Sequence, residues 1–259
     1  MSISKKCAGI LAGLASLGVT SVAFAQVQAD AQANTNVGMT LPGAAPAAAA
    51  TGASDHDQVV GRLAVGYLGR RTIGVGAGAS AADFTPVLQV EAPVVGVRYW
   101  IDSMLGIDAG LGLAITGGGW EADLPAGDGD GDLDSATAFL IHVGVPLSLA
   151  SYDHFSFQVV PEANVGIGSG SADDGDTSYN GFQLDVGARA GAEIQFGFMG
   201  IPQLSLQGSV GLLFGLQSTK TDDDVADSTL TQNRTFLTTT VGDNPWNIFT
   251  SNVAALYYF

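Results

Sequence analysis

The sequence predicts an all-β protein: a transmembrane, antiparallel, up-and-down β-barrel of about eight strands. Three observations predict it. From about residue 60 onward, apolar side chains recur at every second position. Past residue 25 no run holds 18 consecutive apolar residues, although 46% of the chain is hydrophobic and only 13% is charged; a helical span is therefore not expected there. The connections alternate between short and long, the asymmetry of membrane barrels with short turns at one end and long loops at the other.

The chain opens with the features of an export signal over residues 1–25. Lys5 and Lys6 give a positive start, Ala8 to Val22 an apolar stretch, and Ala23-Phe24-Ala25 an A-x-A cleavage site. Cys7, the single cysteine, precedes the apolar stretch and cannot be a lipid-attachment site. Cleavage after Ala25 leaves a cysteine-free chain, which excludes disulfide and thiol chemistry. Residues 26–58, rich in Ala, Gln, Asn and Pro, predict a disordered periplasmic leader. Pro42, Gly43 and Pro46 oppose a helix in the run Ala44 to Ala50. Residues 59–259 are assigned to the barrel.

Within the barrel the period is clearest over residues 182–196. Phe182, Leu184, Val186, Ala188, Ala190, Ala192, Ile194 and Phe196 share one face, opposed by Gln183, Asp185, Arg189, Glu193 and Gln195. The same alternation runs through Val95 to Ile101, Leu105 to Ile115, Phe139 to Leu147, Phe155 to Ile167 and, interrupted by Gly208, Leu204 to Phe214. Weaker versions begin near Arg62 and end at Phe259. Short connections fall near 102–104, 150–153 and 197–202, and long ones near 69–86, 117–134, 168–180 and 218–246. With a periplasmic N-terminus the long loops face outward and carry Asp128, Asp130, Asp132, Asp134, Asp173, Asp174, Asp176 and Asp222 to Asp224. An extra hairpin at 69–86 or 230–246 would raise the strand number to ten.

A soluble barrel also alternates, with its apolar face inside. Here no strand contains a lysine, and the polar face is mostly Gly, Ser, Gln and Asn, too weakly charged for a solvated surface. Aromatic residues sit near strand ends on the apolar face: Tyr99, Phe155, Phe196, Tyr257 and Phe259 on the periplasmic side, Phe139, Phe182, Phe214 and Phe249 on the outer side. The apolar face therefore points to lipid. A closed sheet is then required, because lipid offers no partner to an open edge.

The last residues, Asn252-Val253-Ala254-Ala255-Leu256-Tyr257-Tyr258-Phe259, resemble the C-terminal assembly signal of outer-membrane β-barrels, with Phe259, Tyr257 and Val253 matching and Ala255 smaller than the pattern. Together with the strand count, residues 60–259 resemble the OmpA/OmpX-like small barrels. The resemblance implies a monomeric integral protein of the bacterial outer membrane, delivered by the barrel-assembly machinery through its last strand and in contact with membrane lipids and lipopolysaccharide. No periplasmic domain is expected after the barrel.

Chemistry-bearing residues fall on the polar face: Arg62, Arg98, Asp108, His142, Glu162, Asp185, Arg189 and Glu193. A turn near Ser103 sets Arg98 opposite Asp108; one near Tyr152 brings His142 close to Glu162, with Arg189 near the same glutamate. A buried ion-pair network filling the barrel accounts for this set. No nucleophile–base pair stands out. His142 has no Ser two residues on, and His154-Phe155-Ser156 sits at a periplasmic turn. Asp128-Gly-Asp-Gly-Asp-Leu-Asp134 echoes a calcium loop but lacks Gly at its sixth position and Glu at its twelfth, where Phe139 stands. Catalytic, cofactor and metal residues are accordingly expected to be none. The net charge of −16 argues against nucleic-acid binding. The expected role is structural: a non-enzymatic barrel serving envelope integrity or surface contact. A narrow channel for small solutes and a lipid-processing enzyme stand as rivals.

Overall fold

The computed structural model describes residues 53–78, 86–122, 129–172, 176–241 and 245–259. The predicted signal peptide and most of the predicted leader, with Asp128, Asp173 and Asp174, lie outside them. One short helix, α1 (Asp55–Val59), precedes β1 (Leu63–Ala77), β2 (Pro86–Trp100), β3 (Gly106–Ala122), β4 (Gly129–Gly144), β5 (Leu147–Tyr152), β6 (Phe155–Ala172), β7 (Thr177–Phe196), β8 (Ile201–Asp223), β9 (Ser228–Thr239) and β10 (Val253–Tyr258).

These strands fill eight positions of a closed antiparallel ring, in the order β10-β1-β2-β3-β4-β6-β7-β8, closed by pairing of β10 with β8. The extra strands share positions. β5 continues β4 along the edge of β6 after a break at Pro146, which has no N–H to donate. β9 pairs the upper part of β8 and β10 its lower part.

The registers fix the geometry. A row of paired residues starts at Leu206 on β8 and passes through Ala255, Tyr67, Val95, Leu111, Ile141, Val165 and Leu184. It returns to β8 at Leu216, ten residues above its start. A climb of that size over eight strands sets the strand tilt at roughly 40° and leaves an interior that side chains can fill.

Every named member of that row is apolar, and the outer surface continues the pattern. Val95, Leu111, Ile141, Val165, Val186, Val210 and Phe214 are exposed, while Arg98, Asp108, Glu162, Arg189 and Glu193 are buried. The wall is therefore apolar outside and charged inside, the inverse of a water-soluble barrel. On β7 the apolar outer face runs from Phe182 to Ile194; at ~3.4 Å per residue and the tilt above it spans about 30 Å, the thickness of a bilayer core. Above it a polar row, Thr137, Ser169, Asn180 and Lys220, joins four strands in register, so the strands are not lysine-free as the sequence suggested: β8 runs on past the apolar belt and carries Lys220 there. Tyr99, Phe155, Tyr257 and Phe259 are exposed near the opposite rim.

The predicted long loops are largely strand. Residues 117–122, 129–134, 168–172, 177–180 and 218–223 extend the sheet beyond the apolar belt. Their Ser, Gly, Thr and Asp residues read as loop by composition, but they pair across strands, as in the row Ser135, Ser171, Ser178 and Asp222. Phe249 is also displaced from the outer rim. It sits with Trp246 at a 3-10 turn (Pro245–Ile248) beside the middle of β8. This turn leaves the wall between Thr240, bonded to Gly211, and Asn252, bonded to Ser209. Its backbone bonds are internal, Phe249 N to Trp246 O at 2.9 Å and Ser251 N to Asn247 O at 2.9 Å, which is the condition for non-strand backbone at that depth.

The short connections fall where expected. In the β2–β3 turn Asp102 Oδ1 accepts from Met104 N at 2.7 Å and Leu105 N at 2.8 Å. These two bonds hold the Asp102 carboxyl below its ordinary value. The depressed folded-state value means that the turn is supported at pH above the unfolded value of ~3.9 and loses that support as pH falls through the folded one. NMR titration is expected to show Asp102 ionising below the usual aspartate range, with exchange of the Met104 and Leu105 amides accelerating on the same curve; titration at the ordinary value would refute this.

Candidate functional site

The lumen holds the chemistry-bearing residues in two layers of different character. The lower half, nearer the short turns, is a polar network centred on Arg98. Its Nε and Nη2 donate to the two carboxylate oxygens of Asp108, both at 2.7 Å, the pairing expected from the intervening turn. Nη1 reaches Glu193 Oε2 at 2.8 Å, and Nη2 also donates to Gln207 Oε1 at 2.9 Å. Gln158 donates to Glu193 at 2.6 Å, and the Tyr258 hydroxyl to Glu193 Oε1 at 3.0 Å. Trp100 Nε1 donates to the Tyr258 oxygen at 3.0 Å. Arg98, Asp108 and Glu193 have no exposed side-chain surface.

One layer higher, Glu162 forms ion pairs with two arginines. Arg189 Nε lies 2.7 Å from Oε2, and Arg71 Nη2 donates to Oε1 at 2.5 Å. His142 faces Asn164 in register, with Nδ1 at 2.7 Å from Asn164 Oδ1, and lies close enough to Glu162, which pairs Gly144, to feel its charge. Arg62 is not in the lumen: it is exposed ahead of β1. Arg71 takes its place as the third lumenal arginine, from a segment that reads as loop.

The outer half of the lumen is closed by the upper hairpin of β1 and β2. At Leu68 and Gly69 the register breaks, and Gly69 adopts a φ of 103°, a left-handed conformation that glycine tolerates. Beyond the break, β1 keeps β2 as partner from Arg70↔Pro93 to Ala77↔Pro86 but pairs no longer with β10. Likewise β2 pairs with β3 only from Val94 onward. The freed hairpin turns into the barrel. Ile73, Val75, Val90 and Ala92 are buried and form an apolar core with Ala136, Ala138 and Leu140 of β4. Inward glycines make the room. A Cβ at Gly168 would stand 2.5 Å from Val75 Cγ2, one at Gly166 2.8 Å from Ile73 Cδ1, and one at Gly181 would strike the Gly74 carbonyl. The hairpin's other face is polar, with Arg70 Nη1 bonded to Glu91 Oε2 at 2.5 Å.

The mouth at the short-turn end is capped by α1. The predicted leader over 26–58 therefore ends in ordered structure rather than disorder. Ser54 Oγ accepts from Asp57 N at 3.2 Å while Asp57 Oδ2 accepts from Ser54 N at 2.9 Å, a reciprocal cap. Asp55 holds two of the short turns: its N donates to Asp153 O at 2.9 Å, and its Oδ2 accepts from Gly197 N at 3.0 Å and lies 2.8 Å from His154 Nδ1. His56 holds the third, with Nε2 at 2.9 Å from Ser103 O and its ring edge-on to Trp100 at 4.5 Å. Ser54→Ala is expected to remove about 1 kcal/mol from this cap, read as faster amide exchange over residues 55–59 with the barrel unaffected; unchanged exchange would sink that assignment.

His154 is committed to Asp55 at the mouth, whereas Ser156 is buried and bonded by Gln158 Nε2 at 2.8 Å. Asp130, Asp132 and Asp134 lie along the extended strand β4, the first two opposite Glu121 and Gly119, not curled as a calcium loop. Among the described residues no group of three or more His, Cys, Asp or Glu converges to hold a metal.

No family model matches the chain, and no curated protein does. Among solved structures it is similar to Ail, the attachment invasion locus protein of Yersinia pestis, at 13% identity and a TM-score of 0.34, over 76% of this chain and 97% of that one. The fold rests on the chain's own registers: a closed antiparallel barrel of eight strand positions, apolar outside, filled by an ion-pair layer below and an inturned hairpin above.

Proposed function

We propose that the protein is a closed, non-conducting barrel of the bacterial outer membrane, exported by its N-terminal signal. Its work is mechanical and superficial in the literal sense: it reinforces the envelope and presents an acidic, strand-built surface outside. The observation that carries this reading is the inverted polarity of the wall together with a lumen crossed by the fully buried Arg98, Asp108 and Glu193 ion pairs. The strand extensions beyond the belt support the surface role. They place Asp130, Asp132, Asp222 and Asp223 on β-strands, where a partner meets fixed rather than mobile charge.

Two measurements on the same preparation test it. Protein extracted from the outer-membrane fraction is expected to change gel mobility on boiling, and purified barrels in planar bilayers to give no single-channel steps. Resolved ohmic steps would replace this reading with the narrow-channel one. Recovery from the periplasm without detergent would overturn the membrane placement itself.

A further inference from the structure

The outer face of the wall carries a groove of about 450 Å³ at the upper border of the apolar belt, and all of its lining belongs to β4, β6, β7 and β8. Phe139 of β4 and Phe182 of β7 flank it, with Ile167 of β6 between them in the same row of paired residues. All three are exposed. One row higher stand Thr137, Ser169, Asn180 and Lys220, and Ser218 lies below Lys220 on β8. Rows climb toward the long-loop end in passing from β4 to β8. Lys220 is therefore the highest point of the lining and Phe139 the lowest.

Just above the groove Lys220 is tied to Asp222, two residues on along β8 and on the same face, with Nζ donating to Oδ2 at 2.6 Å. Asp222 Oδ1 also accepts from Thr229 Oγ1 at 2.6 Å, which holds the carboxylate against β9. Both side chains keep exposed surface, 46% of Lys220 and 26% of Asp222. This ion pair has its positive end toward the bilayer and its negative end away from it. A partner of one charge gains at one end and loses at the other, whereas a zwitterion laid alongside in the opposite sense gains at both. From the belt upward the wall presents apolar rings, then hydroxyl and amide groups, then an ammonium, then a carboxylate. A phospholipid with a terminal amine presents acyl chain, ester oxygens, phosphate and ammonium in the same order along the same axis.

We propose that this groove seats one zwitterionic phospholipid with a primary-amine headgroup, drawn from the leaflet at the long-loop end. An acyl chain runs over Ile167 between Phe139 and Phe182, and Ser169, Asn180 and Ser218 meet the ester oxygens. The phosphate accepts from Lys220, which has three N–H donors and gives one to Asp222. The lipid ammonium donates to Asp222, which a quaternary ammonium has no hydrogen to do. The site rests on the reading that the barrel occupies a bilayer.

The test is native mass spectrometry of the full chain in detergent micelles, titrated with phosphatidylethanolamine, phosphatidylcholine and phosphatidylglycerol of identical acyl chains. One retained phosphatidylethanolamine per barrel is expected, with about tenfold weaker retention of the other two. Asp222→Asn is expected to erase the preference for ethanolamine over choline and to raise phosphatidylglycerol above both, because Lys220 is then unopposed. Lys220→Gln should weaken all three. The heat-dependent gel shift reports on folding of each variant. Equal retention of ethanolamine and choline lipids by folded native protein overturns the site and leaves the barrel reading standing. So does tighter retention of phosphatidylglycerol or of a bisphosphorylated glycolipid, or a folded Asp222→Asn variant of unchanged selectivity. Native protein that shows no gel shift overturns both.

Discussion

An Arg98→Met barrel is expected to lose most of its refolding yield and to unfold at a much lower urea concentration than the native chain. Arg98 neutralises two carboxylates at once, Asp108 through a bidentate bond and Glu193 through Nη1, and methionine of similar length leaves both buried without a cation. Breaking a buried pair by removing one partner costs about 3–5 kcal/mol, a large share of a total stability of order 5–15 kcal/mol. Arg71→Met is the internal control. It removes one of two arginines from Glu162 and leaves Arg189 in place, so its effect should be clearly smaller. A triple variant, Arg98→Met with Asp108→Asn and Glu193→Gln, is expected to recover much of the loss, because the uncompensated charges go with the arginine. Equal effects of Arg98→Met and Arg71→Met, or no recovery in the triple variant, would show that volume rather than charge governs this layer.

The second large effect concerns the hairpin. At Gly181 a side chain would meet the carbonyl of Gly74, a backbone atom that cannot rotate away. Gly181→Val is therefore expected to expel the β1–β2 hairpin from the lumen while the paired ring below the Gly69 break stays closed. Trypsin reports it. Arg71 is buried in the native chain, so cleavage after Arg71 should appear in the variant and be absent from the native barrel. Both should retain the heat-dependent gel shift. Gly168→Val, which presses on the Val75 side chain rather than on backbone, should give a weaker version. A variant that resists trypsin as the native chain does would mean that the hairpin is not seated as described.

The sequence made the lower barrel legible because one rule holds along it: apolar positions face lipid. The Arg98–Asp108 pair followed from that rule and one turn position. Arg71 did not, because the rule reverses at Gly69. Before the break Val65 and Tyr67 point outward; after it Ile73 and Val75 point into the lumen. Alternation measures a period and is silent about which side is which. A trace of the reversal is present in β2, where the apolar phase switches from Val90, Ala92 and Val94 to Val95, Val97 and Tyr99 at adjacent valines. Arg62 failed for the complementary reason: it lies one residue ahead of β1 and has no strand to aim it. Composition misled at the outer ends, where Ser, Gly and Asp suggest loops but cross-strand bonds hold them extended.

Shear, turns and plug leave the ring thinly joined at its last strand, which pairs β8 through five residues and β1 through fewer. The first and last strands are joined through only four register pairs, from Ala64↔Tyr258 to Tyr67↔Ala255, whereas β6 and β7 are zipped from Phe155↔Ile194 to Ala172↔Thr177. Under a pulling force applied at the termini, load falls first on that seam, and its few bonds are stretched one after another rather than sharing the strain. The barrel is then a belt with a buckle: its tensile limit is set by the closure between Leu63 and Phe259 and not by the average strength of its wall.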